Sequence, residues 1–170
     1  MALKPNQEVP ELALPTAGGL IFDLTAVHPR SFTMLVFYRG LHCPICKTYL
    51  RDLNDKMEQF ATLGVESVAV TSDGKDRAEQ AKSEWGLDKL PVAYDLRIDQ
   101  GRSWGLFVSQ GIKESEPTLF VEPGLFLVRP DRTLYAASIQ TMPFARPQFS
   151  DIFGAVSFVT KNNYPARGEA

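Results

Sequence analysis

Residues 33–47 read TMLVFYRGLHCPICK, and this stretch contains both cysteines of the chain. Its first part, 33–38, is an apolar run of the kind that forms a central strand covered on both faces. The residues after Cys46 have apolar positions at helical spacing. A Cys-x-x-Cys pair between a buried strand and a helix is the arrangement that makes thiols reactive. We therefore predict that the functional site lies at Cys43 and Cys46.

The composition indicates an ordinary globular protein. With 170 residues, of which 44% are hydrophobic and 22% charged, we expect residues 1–170 to form a single domain. The net charge of -2 argues against nucleic acid or an anionic membrane as a partner, because both attract basic surfaces.

The N-terminal residues 1–8 lack the basic start and long apolar stretch of a signal peptide, and no apolar run is long enough to span a bilayer. These features predict a cytoplasmic protein. Two cysteines in a reducing compartment are typical of a redox-active or metal-bound pair rather than a permanent disulfide. A disulfide closing so short a loop would also add little stability.

The pattern along the chain predicts alternating strands and helices, and thus an α/β fold with a mixed central sheet flanked by helices. Two short strands around Gly18 and Gly19 form an N-terminal β-hairpin, and two later ones form a second hairpin. The predicted strands are 33–38, 65–70, 91–95, 125–128 and 134–137. One helix is predicted between Cys46 and Gly64, a second between Gly74 and Gly86, and a third after Pro147, with a short helix near 102–105. Residues 96–118 give no clear pattern apart from that short helix.

This order of elements, with Cys43-Pro44-Ile45-Cys46 at the first strand–helix junction, resembles the thioredoxin superfold. Within it the chain resembles the peroxiredoxin-like branch related to alkyl hydroperoxide reductase and thiol-specific antioxidant proteins, through segments 36–40, 68–73 and 124–131. The resemblance implies a thioredoxin-like three-layer fold and a thiol-dependent, antioxidant oxidoreductase. Its substrates would be protein disulfides or small hydroperoxides, and a thioredoxin- or glutathione-type reductant would return the electrons. Homodimers are common in this family.

The peroxiredoxin pattern Phe-x-Pro-x-x-x-Thr-x-x-Cys, started at Phe37, places Arg39 on the proline, Cys43 on the threonine and Cys46 on the peroxidatic cysteine. Thioredoxins place their attacking and resolving cysteines at the same two positions. The family threonine is therefore absent, and Pro123 stands where an arginine typically precedes the Gly-Leu-Phe strand. Thioredoxins have a cis-proline facing the cysteines there, so we predict a cis peptide bond at Pro123. Both departures favour disulfide exchange over peroxide reduction.

The residue types at the junction suggest a division of labour. Cys43 would lie at the helix start, where the macrodipole stabilises a thiolate, with Pro44 in the first helical position. Cys46 would lie one turn in and be more buried. Cys43 would then attack a disulfide and Cys46 resolve it, whereas with a peroxide the family position implies that Cys46 attacks first. We expect Cys43 to be partly exposed, because a partner disulfide must reach it.

Two neighbouring side chains have open roles. His42 could lower the pKa of Cys43 when protonated, move a proton when neutral, or be a solvated loop residue. Arg39 could hold the Cys46 thiolate or a substrate anion, or cover the edge of the sheet. We expect Trp85 and Trp104 to belong to the core.

Several other functions remain open. The cysteines could be buried structural thiols, or zinc ligands, although only His28 and His42 could complete a zinc site. A non-catalytic thioredoxin-fold binding module and a metal-binding module are further alternatives. The sequence has no glycine-rich phosphate loop and no strand–GxGxxG–helix fingerprint, so it implies no nucleotide cofactor.

Overall fold

The computed structural model describes residues 3–170, and its centre is a five-stranded mixed sheet. The elements are β1 (Ala13–Pro15), β2 (Ile21–Asp23), β3 (Phe32–Phe37), α1 (Pro44–Thr62), β4 (Val65–Val70), α2 (Lys75–Glu84), β5 (Val92–Ala93), α3 (Ile98–Ser103), β6 (Val108–Gln110), β7 (Leu119–Val121), β8 (Gly124–Val128), β9 (Leu134–Ile139) and α4 (Phe149–Asn162). The strand order in the main sheet is β5-β4-β3-β8-β9, with β3 parallel to β4 and antiparallel to β8. The predicted α/β fold with a mixed sheet and flanking helices is confirmed.

Strand β3 is the middle strand of the sheet, and every residue in it is buried. Its side chains alternate between two apolar clusters, as the pleat of a strand requires. Met34 and Val36 pack on the side of α1 and α4, and Leu35 and Phe37 pack on the other side. Both faces of the sheet are therefore covered, as the uninterrupted apolar run predicted.

The flanking elements follow local signals in the sequence. Helix α1 ends at Thr62, and Gly64 follows it in the left-handed region with φ +73°, a conformation that glycine adopts without strain. The predicted hairpins are present as β1–β2 and β8–β9. Strands β6 and β7, which the sequence did not indicate, form a separate two-stranded sheet.

Within residues 3–170, none of the helices combines the length and the apolar character that crossing a membrane requires.

Candidate active site

The cysteine pair lies where β3 leads into α1, as predicted. Pro44 is the first helical residue, where its missing N–H costs nothing, and Cys43 caps the helix. The Cys43 Sγ accepts a hydrogen bond from the backbone N–H of Cys46 at 3.2 Å. The Cys43 N–H in turn donates to the carbonyl of Gly40 at 3.1 Å, which closes a tight turn before the helix. The helix start and this turn therefore fix the position of the Cys43 sulfur.

Both sulfurs are shielded from solvent. Cys43 is 1% exposed and Cys46 is 0% exposed. The predicted partial exposure of Cys43 is therefore wrong. Cys46 was expected to be the more buried of the two, and the observed difference in exposure is slight. The shielding comes from a part of the chain distant in sequence. Residues 140–148 connect β9 to α4, and we call them the covering segment. They bring a side chain onto both sulfurs.

That side chain is Arg146, which the sequence analysis missed. Its Nη2 lies 2.9 Å from the Cys46 Sγ and 4.0 Å from the Cys43 Sγ. The Nε donates to the Pro143 carbonyl at 2.8 Å, and the guanidinium lies 4.9 Å from the centre of the Tyr49 ring. Only the flanking prolines, 143 and 147, single out this arginine in the sequence, and they do not link it to the cysteines.

The backbone of the covering segment is arranged to aim Arg146 inward. Ala145 has φ +55°, a left-handed conformation that is uncommon for alanine and requires support from the surrounding structure. Part of this support comes from Tyr49 of α1, whose hydroxyl donates to the Pro147 carbonyl at 2.7 Å. Helix α1 thus carries the cysteines and also anchors the segment that covers them.

The two thiols have opposite pKa shifts. The pKa of Cys43 is lowered from near 9 to about 6, first by a hydrogen bond from the Cys46 thiol, then by the Cys46 backbone N–H and by Arg146, against the effect of burial. Burial raises the pKa of Cys46. Although Arg146 lies nearer to Cys46, it is within reach of both sulfurs, so it stabilises the single negative charge of the pair. We place this charge on Cys43, because the backbone N–H of Cys46 donates to the Cys43 sulfur at 3.2 Å, whereas burial disfavours an anion at Cys46.

His42 precedes Cys43 in the chain, and its surroundings favour the neutral imidazole. Burial, followed by the nearby Arg39, lowers its pKa. Its Nδ1 is 3.4 Å from the Nη2 of Arg77, which can only donate, and its Nε2 is buried with no hydrogen-bond partner among the described residues. Of the roles considered for His42, movement of a proton by the neutral ring fits this environment better than electrostatic stabilisation of a thiolate.

Arg39 is engaged away from the sulfurs. Its Nε is 3.2 Å from the buried carboxylate of Glu122, and its guanidinium lies 4.8 Å from the centre of the Phe120 ring. Ser109 donates to the same carboxylate at 2.6 Å. Arg39 therefore ties the β6–β7 sheet to the site, and it reaches Cys43 only as a minor electrostatic contribution to the lowered pKa.

Pro123 is trans, since the described residues contain no cis peptide bond, and the predicted cis bond is wrong. The chain runs directly from β7 into β8 here. The N–H of Glu122 donates to the carbonyl of Phe107, and the carbonyl of Pro123 accepts the N–H of Gln140, both at 2.8 Å. An extended connection held on both sides suits the trans isomer, which X–Pro bonds favour by default.

A small cavity adjoins Arg146. Its volume is about 10 Å³, which is room for roughly one water-sized molecule. Its lining includes the apolar side chains of Val36, Phe37 and Leu125 together with Tyr49, Gln140 and Arg146, but neither cysteine. The Nη1 of Arg146 is buried and has no hydrogen-bond partner among the described residues.

The residues proposed for zinc do not come together. His28 is exposed in the loop before β3, at the opposite end of that strand from Cys43. Within residues 3–170 there is no group of three or more His, Cys, Asp or Glu side chains placed to hold a metal ion.

Comparisons with known proteins agree with this fold. The sequence profile described as the AhpC/TSA family matches residues 5–137. A comparison with curated proteins finds no match. Among solved structures, the peroxidoxin BcpB of Mycobacterium tuberculosis aligns with a TM-score of 0.73 at 18% identity, over 91% of this chain and 96% of that chain.

Two further solved structures show the range of proteins with this fold. AhpC of Enterococcus faecalis has a TM-score of 0.77 at 18% identity, covering 98% of this chain and 99% of its own. A putative thiol:disulfide interchange protein, DsbE, of Chlorobium tepidum has a TM-score of 0.68 at 19% identity, covering 93% and 98%. At these identities the structural matches establish a common fold.

Proposed function

The chain belongs to the AhpC/TSA family, and we propose that it is a thiol-dependent peroxidase that reduces small hydroperoxides at Cys43 and Cys46. The observation that supports this proposal best is the position of Arg146, whose Nη2 contacts the Cys46 sulfur at 2.9 Å and lies 4.0 Å from the Cys43 sulfur. A hydroperoxide needs only a narrow entrance, a nucleophilic thiolate and a positive charge near the oxygen that leaves.

Two observations favour hydroperoxides over protein disulfides. A partner disulfide must bring its flanking chain up to Cys43, which is 1% exposed. The absence of the family arginine at the position of Pro123 favoured disulfide exchange in the sequence analysis. Arg146, however, supplies a guanidinium to the cysteine pair from another part of the chain. The balance between the two substrates therefore shifts towards the peroxide.

We assign the attack to Cys43, because its pKa of about 6 makes it a thiolate at neutral pH while Cys46 stays protonated. The thiolate attacks the terminal oxygen of the hydroperoxide. A sulfur–oxygen bond forms, the O–O bond breaks, and the alcohol leaves after taking up a proton. The Cys46 thiol then attacks the Cys43 sulfenic acid, a disulfide forms and water leaves, so that two thiols and one hydroperoxide give one disulfide, one alcohol and one water.

The reductant completes the cycle. Two electrons and two protons return from a dithiol of the thioredoxin type or from two molecules of glutathione, which restores both thiols. A reducing compartment such as the cytoplasm supplies such donors. An antioxidant role and a homodimer, both suggested by family resemblance, belong to the same proposal.

The order of attack is tested with Cys46→Ser and Cys43→Ser. We expect Cys46→Ser to form a trapped sulfenic acid at Cys43 with hydrogen peroxide, faster than a free thiol does, and Cys43→Ser to react slowly. Fast reaction of Cys43→Ser alone would move the attack to Cys46, in line with the peroxiredoxin register. If neither variant reacts faster than a free thiol, the peroxidase proposal fails.

Disulfide exchange is the second candidate, since Cys43 has both the helix-start position and the lowered pKa of an attacking thiol in exchange reactions. Reduction of insulin disulfides distinguishes it from peroxidase activity. Turnover of insulin at a rate constant above that for hydrogen peroxide would favour exchange. A non-catalytic binding module would instead show ordinary thiol pKa values near ~8.5 for both cysteines.

A further inference from the structure

A buried carboxylate lies beneath the loop that leads to Cys43. Asp73 follows β4, and its side chain is 0% exposed. One oxygen, Oδ2, accepts the backbone N–H of Leu41 at 2.7 Å, and the other, Oδ1, accepts the Nε of Arg77 at 2.9 Å. A charged group is costly to bury unless it is paired and hydrogen-bonded, and both conditions are met here.

The loop passes unusually close to this carboxylate. Gly40 has φ +134°, and a Cβ built on it would lie 2.6 Å from the Asp73 Oδ2. Only glycine fits such a backbone at such a distance. The approach places the Leu41 N–H on the carboxylate, and the carbonyl of Gly40 accepts the N–H of Cys43 at 3.1 Å. Two consecutive hydrogen bonds thus link Asp73 to the cysteine.

We propose that Asp73 is a positioning residue that fixes the turn 40–43 and thereby holds the Cys43 sulfur at the start of α1. This inference rests on the proposed function in taking Cys43 as the reacting sulfur. Arg77 extends the support, since its Nη2 lies 3.4 Å from both the His42 Nδ1 and the Ser115 carbonyl. Asp73 therefore orders the loop 111–118 and His42 together with the turn.

The position of Cys43 is what gives its thiolate a hydrogen-bond donor. The Cys46 N–H reaches the sulfur at 3.2 Å only while Cys43 occupies the capping position. The other groups that lower the pKa of Cys43 are the Cys46 thiol and, as charges, Arg146 and Arg39, and none of them is a contact of the Asp73 carboxylate. Loss of the Asp73 negative charge would by itself lower the pKa of Cys43, so a rise in that pKa on substitution reports the geometry of the turn.

The test follows alkylation of Cys43 by iodoacetamide against pH, with the modified cysteine identified by peptide mass spectrometry. We expect a midpoint near 6 in the unaltered protein. In Asp73→Ala the midpoint should rise by at least about one unit, which lowers the alkylation rate at pH 6 about fivefold. Asp73→Asn keeps an oxygen that can accept the Leu41 N–H, so its midpoint should stay near that of the unaltered protein.

Asn54→Ala is the matched control. Asn54 is also buried, and its side-chain oxygen accepts the N–H groups of Lys89 and Leu90, both at 2.9 Å, so it secures a different loop. Its loss should lower the unfolding temperature without moving the Cys43 midpoint. An unchanged midpoint in folded Asp73→Ala, or an equal shift in Asn54→Ala, would overturn the inference.

A second variant covers the case in which Asp73→Ala does not fold. Gly40→Ala leaves the carboxylate intact but forces the loop away from it, and the midpoint should rise in the same way. An unchanged midpoint in folded Gly40→Ala would also refute the role. Failure of the proposed function looks different, because the unaltered protein would then have a midpoint near that of a free thiol or would not reduce hydrogen peroxide.

Discussion

Arg146 carries the charge that faces the two sulfurs, with contacts of 2.9 Å to Cys46 and 4.0 Å to Cys43. Replacing it with glutamine keeps a hydrogen-bond donor but removes the charge. Because an adjacent cation lowers a thiol pKa by about one unit or more, we expect Arg146→Gln to react with hydrogen peroxide at least about fivefold more slowly at pH 6. Stopped-flow measurement of the second-order rate constant checks this.

The control is Arg129→Gln. Arg129 also stacks on a tyrosine, with its guanidinium 5.0 Å from the centre of the Tyr135 ring, but it does not contact the cysteines. Its rate constant should equal that of the unaltered protein. Equal rate constants for Arg146→Gln and the unaltered protein would contradict the assigned role of Arg146.

The lowered pKa of Cys43 also makes the stability of the reduced protein depend on pH. The folded protein releases this proton near pH 6, whereas the unfolded chain keeps it up to about pH 9. The unfolded state therefore binds more protons in this window, and the free energy of unfolding rises with pH by at most about 1.4 kcal/mol per unit. This contribution disappears as the pH falls through 6.

Urea unfolding of the reduced protein between pH 6 and 8 measures this slope. The disulfide form is the control, since it has no thiol to titrate, and its stability should lack this pH-dependent contribution. Parallel slopes for the two forms would show that Cys43 is not ionised in the folded protein.

At the scale of single residues, the sequence correctly predicted the features that depend on neighbours in the chain. The helix start, Pro44 at its first position and the adjacency of the two thiols depend on a few neighbouring residues. The exposure of Cys43 and the presence of Arg146 depend on a segment 100 residues further along the chain, so no nearby pattern could indicate them. The cis bond expected at Pro123 came from the family position, whereas the hydrogen bonds on both sides of this residue hold an extended chain.

At the scale of elements, a hydrogen bond from the Tyr49 hydroxyl attaches the covering segment to α1, and one substitution removes it. Tyr49→Phe keeps the ring beneath Arg146 but removes the hydroxyl that bonds to the Pro147 carbonyl at 2.7 Å. The loss of this bond, about 1 kcal/mol, should open the segment about fivefold more often. We expect chymotrypsin to cleave after Phe144, which is already 57% exposed, faster by a similar factor.

Tyr135→Phe serves as the comparison, because it removes a similar bond, from the Tyr135 hydroxyl to the Tyr164 carbonyl at 3.2 Å, outside the covering segment. Cleavage after Phe144 should stay at its original rate in this variant. If Tyr49→Phe is cleaved no faster than Tyr135→Phe, the hydroxyl does not hold the covering segment in place.

The elements with strong periodicity were predicted with nearly correct bounds, including β3, α1, β4 and α4. Strands β6 and β7 were missed because each has only three residues and no Gly-Gly turn joins them, whereas Gly18 and Gly19 mark the turn between the equally short β1 and β2. Their pairing depends on contacts that the sequence does not display. One example is Gly111, where a Cβ would lie 2.3 Å from the carbonyl of Pro117.

For the whole molecule, the two faces of the sheet each contain one tryptophan. Trp85 belongs to the cluster beneath α1 and α4, and Trp104 to the cluster on the opposite face. We propose that residues 1–170 form one domain, which predicts that both clusters unfold together. In Trp85→Phe and Trp104→Phe, fluorescence of the remaining tryptophan should have the same urea midpoint as far-ultraviolet circular dichroism. Separate midpoints in either variant would indicate two independently folding units.

The distance along the chain between Arg146 and Cys46 has a consequence for biosynthesis. A ribosome that adds about 5–20 residues per second needs on the order of 5–20 s to make the 100 residues between them. During that interval the nascent chain has its thiols without the guanidinium and without the segment that shields them. The newly made protein therefore gains its full reactivity towards oxidants only after Arg146 has been synthesised and helix α4 can dock.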